Sequence, residues 1–144
     1  MSKVSEHFSD WELISPKLKE AIVGLPIEWF LNTDALEDIR THFNKPVICN
    51  VNSFMVEKYG FTEPMFRRGI CTDQENIDAG RKISSQHRLS AFDITVIGVS
   101  PVDVGAYIEV IANMYNIGGM GVNEIKNFTH LDWRSSKELI KWTY

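Results

Sequence analysis

Cysteine, histidine and long apolar runs are all scarce in this chain. Its two cysteines, Cys49 and Cys71, lack the close paired spacing of a zinc ribbon or a redox motif. Two thiols do not make a disulfide framework, and both read as partly buried thiols. No stretch approaches the ~20 apolar residues of a membrane span, and residues 1–10 hold no apolar signal-peptide core. The expectation is a protein made in a cytoplasm with no secretory address of its own. Lysine and arginine number 15, are scattered without a run that would track a phosphate backbone, and leave a net charge of -4. That balance argues against nucleic acid as a partner, and the missing apolar span argues against a membrane.

What is present suits one compact domain over residues 1–144, with 44% hydrophobic residues. A core of that size forms without a metal staple, so any metal is expected to serve chemistry. Ser9 and Asp10 suggest a short helical turn near the start, and Ser15-Pro16 opens a helix to about Val23, closed by Gly24. Leu36, Ile39, His42 and Phe43 recur at helical spacing, which predicts a helix over Thr33–Phe43. Val47–Val51 reads as a short buried strand, and residues 52–82 as an irregular wall or lid. Ala91–Val99 is the best strand candidate, and Ser100-Pro101-Val102-Asp103 caps a helix running to about Tyr115. Gly118, Gly119 and Gly121 suggest a hinge-like turn, Phe128–Trp133 a strand, and the tail from Ser136 a short helix or strand.

The chain has only four histidines. His42 lies on the inward side of its helix and is expected to be a packed or half-exposed core histidine, and His7 is expected to be solvated. His87 and His130 differ, because each has an aspartate close by in a strand-like setting. Asp93 stands among Ala, Phe, Ile and Val, where a carboxylate needs a hydrogen bond, an ion pair or a metal, or else faces water. His130 and Asp132, two apart on a strand, point to one face while Leu131 and Trp133 point to the other. Hydrolytic zinc takes three N/O ligands and keeps one position open, a set that His, Asp and His can supply.

The stretches SSQHRLSAFDI and GGMGVNEIKNFTHLDWR resemble the zinc D-alanyl-D-alanine carboxypeptidase and murein endopeptidase family, particularly its small bacterial and bacteriophage forms. HFSDWELI and LEDIRTHFNKPV look like that family's N-terminal half, so the resemblance runs along most of the chain. It implies an α+β fold of the hedgehog-like DD-peptidase kind, a small antiparallel sheet with helices packed on one side and a metal groove. It implies Zn2+ held by His87, Asp93 and His130. Asp132 then handles a proton or orients His130. Arg68, with Arg67 next to it, is the counterpart of the arginine that grips the substrate carboxylate or carbonyl.

The implied function is a metallopeptidase that cleaves an amide bond in peptidoglycan stems or crosslinks, reaching the wall in a phage virion beside other virion proteins or through a lysis system. Three positions depart from the family pattern. Asp93 follows His87 by six residues, one fewer than in the family; Ser90 replaces a glycine; and Asn127 stands where many relatives carry an acid, leaving Glu124 and Asp132 as the nearby acids. A one-residue deletion within a strand turns later side chains to the other face. These departures favour an alternative, a peptidase-like binding or virion structural module without catalysis. A metal-dependent hydrolase of another small amide is a third reading.

Overall fold

The structure is a computed structural model and describes residues 5–8, 33–49 and 91–144. The helix expected over residues 16–23 and the irregular stretch 52–82 lie outside the described residues. So do His87, Arg67, Arg68 and Cys71.

Two helices and five strands make up the described part, an α+β arrangement. Helix α1 spans Thr33–Phe43 as its periodicity predicts, burying Ala35, Leu36 and Ile39. Asp34 in its first turn and Arg40 in its last complement the helix dipole. Asn44, at φ 51, takes the left-handed conformation that ends it. Helix α2 spans Pro101–Tyr115. The Ser100 side chain accepts from the Asp103 amide at 3.1 Å, and the left-handed Asn116 caps the other end.

Strands β1 (Val47–Cys49), β2 (Ala91–Val96), β3 (Gly119–Asn123), β4 (Phe128–Asp132) and β5 (Ile140–Thr143) form one sheet, ordered β1-β2-β4-β3-β5. The expected antiparallel pairing holds for β1 with β2, β2 with β4 and β3 with β4. The sheet as a whole is mixed, because β5 runs parallel to β3. The reason is local. Strand β4 ends beside the start of β3, where the Gly118 amide donates to the Asp132 carbonyl at 2.9 Å. Residues 133–139 then turn the chain round, and β5 sets out from the same end as β3, with the Ile140 amide on the Gly118 carbonyl at 3.0 Å.

Two other boundaries differ from expectation. The glycine-rich stretch is no hinge, since Gly119–Asn123 is a paired strand. Strand β2 stops at Val96, because Gly98 at φ 77 turns the chain towards α2. The tail, open between helix and strand, is strand β5.

Both helices cover one face of the sheet. Phe92, Ile94, Leu131 and Met120 meet Leu36, Ile39, Val104, Ile108 and Ile111 in a single buried cluster, which Phe8 and Cys49 join. Each large apolar side chain buried there contributes about 1.5–3 kcal/mol. Tyr107 and Tyr115 of α2 both donate their hydroxyls to Asp38 of α1, Tyr115 at 2.7 Å, and so tie the helices together. Ser5 and His7 hold Glu37 of α1 from the other side, with His7 Nδ1 at 2.6 Å from its Oε2. His7 is therefore exposed, as expected, but bound. His42 is exposed and not packed in the core. Its ring lies stacked on Tyr107, with centroids 3.6 Å apart. Among the described residues, no helix is long and apolar enough to cross a membrane.

Candidate metal and peptidase site

Alternation along β2 and β4 turns Phe92, Ile94, Thr129 and Leu131 towards the helices. Asp93, His130 and Asp132 thereby face the other way. Antiparallel register then sets Asp93 directly opposite His130. Asp93 therefore lies on the histidine's face; His87 and the residues between it and Ala91 lie outside the described residues. His130 Nδ1 lies 2.9 Å from Asp93 Oδ1, and Nε2 lies 2.7 Å from Asp132 Oδ2. His130 is 4% exposed and Asp132 is fully buried.

A carboxylate at that depth needs compensation. Arg134 supplies it with a two-pronged grip, Nε to Oδ1 at 2.8 Å and Nη2 to Oδ2 at 2.7 Å. The Arg134 backbone amide adds a bond to Oδ1 at 3.0 Å. Burial works to raise the Asp132 pKa, but the bonds from His130 and Arg134 outweigh it and hold the group well below the usual carboxylate range. For His130, burial works to lower the pKa, and the carboxylates of Asp132 and Asp93 outweigh it, so the pKa is raised.

Strand β5 walls this face. The Trp142 ring lies against Gly121, where an added Cβ would stand 2.4 Å from the indole nitrogen. Its centroid is 5.2 Å from that of His130, and the Arg134 guanidinium sits 4.9 Å from the Trp142 ring centre. Phe128 and Tyr144 pack edge to face beside it at 5.3 Å. Burial raises the Tyr144 pKa, and the charges of Asp93 and Asp132 raise it further.

Of the residues expected at the site, the structure brings together Asp93, His130 and Asp132. Glu124 and Asn127 lie exposed in the turn from β3 to β4, and Asn127 there has a left-handed φ of 55. Among the described residues, no group of three or more His, Cys, Asp or Glu is arranged to hold a metal ion. The donor chemistry of Asp93 and His130 nonetheless fits zinc. Two ligands with bonds of about 2.0–2.1 Å on one tetrahedral ion stand about 3.3 Å apart, close to the 2.9 Å between Asp93 Oδ1 and His130 Nδ1. The carboxylate of Asp132 on the far nitrogen would serve as the outer partner that metal-bound histidines usually have.

Sequence reasoning assigned no part to Arg134, Trp142 or Tyr144. The spacing His130, Asp132, Arg134 carried the signal for the arginine, since residues two apart on an extended chain share a face. The same alternation in Trp142 and Tyr144 marked the aromatic wall. Searches of protein-family models, of curated proteins and of solved structures find no match to this chain.

Proposed function

We propose that this chain is a zinc-dependent peptidase that cleaves an amide bond in the peptide stems or crosslinks of peptidoglycan. The observation that carries this reading is the cross-strand pair Asp93 and His130, whose donor atoms stand 2.9 Å apart on the face that the described helices leave uncovered. With His87 as third ligand, Asp93 and His130 complete the donor set that the family resemblance implies. Zinc, when bound, polarises the scissile carbonyl and lowers the pKa of water towards ~7. Asp132 keeps Nε2 of His130 occupied, so Nδ1 is the nitrogen on the side of Asp93. Arg68 grips the substrate's carboxylate or carbonyl, a task suited to a planar guanidinium. Delivery in a phage particle or through a lysis system brings such an enzyme to the wall.

One observation favours the alternative, a peptidase-like module without catalysis. Both nitrogens of His130 already have carboxylate partners within the protein, so the network stands without an ion.

The deciding experiment is elemental analysis of the purified protein after mild chelation and zinc add-back, followed by digestion of purified peptidoglycan. The peptidase reading expects about one zinc per chain, lost together with all digestion in His130→Ala. A wild-type protein that takes up no zinc leaves the module reading. Retained zinc and full digestion in His130→Ala would sink the site assignment.

A further inference from the structure

We infer that Arg134 is a positioning residue, which fixes His130 for metal binding by clamping Asp132 from behind. The inference rests on the zinc reading only in its last step, since the clamp itself is a matter of hydrogen bonds.

Asp132 has no unused acceptor capacity of consequence. Its Oδ1 takes the Arg134 amide and Nε, and its Oδ2 takes Arg134 Nη2 and His130 Nε2. With no exposed surface, it has no route to accept a proton from bulk water. Its part is to orient, and Arg134 sets that orientation. A two-pronged grip defines both the position and the plane of the carboxylate, which a single point charge does not do. The carboxylate plane in turn directs Oδ2 at Nε2 and so sets the rotation of the imidazole.

The arginine is held on its other sides as well. Trp142 lies 4.9 Å from its guanidinium carbon. Beneath it, Gly119 leaves room for the clamp: an added Cβ would lie 2.6 Å from Arg134 Nε and from both Asp132 oxygens. The glycine at 119 thus has a role of its own, making space for two charged groups in contact. With Nε and Nη2 committed to Asp132, Arg134 is poorly placed to bind substrate.

The test uses the full chain, with cobalt(II) as a visible probe of the metal site and proton NMR of the His130 Nε2–H as a metal-independent readout. In the wild type, that proton is expected as a downfield resonance in slow exchange with water. Arg134→Gln should lose the resonance and bind cobalt about 10–100-fold more weakly, with Arg134→Lys in between. Gly119→Ala, which crowds the clamp without touching its charge, should also lose the resonance. A folded Arg134→Gln protein that keeps both the resonance and the wild-type cobalt affinity overturns the inference. If wild type binds no cobalt, yet its resonance disappears in Arg134→Gln, the clamp stands and the zinc reading fails.

Discussion

Leu131 and Asp132 are neighbours in β4 and both are fully buried, one against the helices and one on the opposite face. Phe92 and Asp93 point to the same two faces along β2, with Phe92 fully buried and Asp93 half-buried. On the helix-covered face, depth is stabilising by itself, because apolar surface leaves water. On the other face, depth opposes the charged groups, and each must be matched by a partner: Asp132 by His130 and Arg134, His130 by Asp93 and Asp132. The first face tolerates any well-shaped filling. The second tolerates only a complete set, and a complete set of buried charges with fixed geometry is what a metal or catalytic site needs.

That contrast can be tested by removing one group at a time. Phe92→Ala should show the largest loss of stability, about 3–5 kcal/mol in urea unfolding, because it empties the centre of the core. A loss under about 1 kcal/mol would mean that the helices do not define the main core.

Asp132→Ala should cost about 3 kcal/mol, since it strands His130 and Arg134 without their shared partner. The double variant Asp132→Ala/Arg134→Ala should cost clearly less than the two single losses added together. Additive losses would show that the polar face is no connected network.

His42→Ala removes a ring stacked on Tyr107 at the exposed end of α1. It should cost about 0.5–1.5 kcal/mol and leave zinc uptake unchanged. A fall in zinc content would place this histidine in the functional network.

The smallest effect is expected in alkali. Hydrogen bonding to Asp38, aided by burial, pushes Tyr107 and Tyr115 up to about 12 from an ordinary value of 10. The folded protein holds these protons more tightly than the unfolded chain does. Their contribution is therefore complete below pH 10 and lost as pH rises from 10 to 12. Melting temperature followed across that window should fall less in Tyr107→Phe/Tyr115→Phe than in wild type. Equal slopes would remove Asp38 as the cause.

Much of this was legible in the sequence where the signal is local. The helix Thr33–Phe43 showed in its periodicity, and the start of α2 in its serine cap and first-turn proline. The reading of Gly118, Gly119 and Gly121 as a hinge failed for a definite reason. Gly119 and Gly121 sit in a paired strand, and they are glycines because Arg134, Asp132 and Trp142 occupy the space that side chains would fill. Flexibility and close approach leave the same glycine in the sequence, and only the neighbours separate them. His42 differs likewise: it keeps the helical spacing of α1, but its ring lies exposed on Tyr107 while its neighbour Phe43 packs against the core.

The sequence by itself determined that His130 and Asp132 share a face with Leu131 opposed to them. That follows from the two-residue period of a single extended strand. That a second carboxylate, Asp93, meets the other nitrogen of the imidazole was decided by tertiary structure. Asp93 and His130 are 37 residues apart, and they meet because β2 and β4 pair in one register of several. The place of Trp142 over Gly121 depends in the same way on β5 joining β3 in parallel. Strand register is set by the fit of whole faces against the helices, a sum over many contacts that no short motif contains.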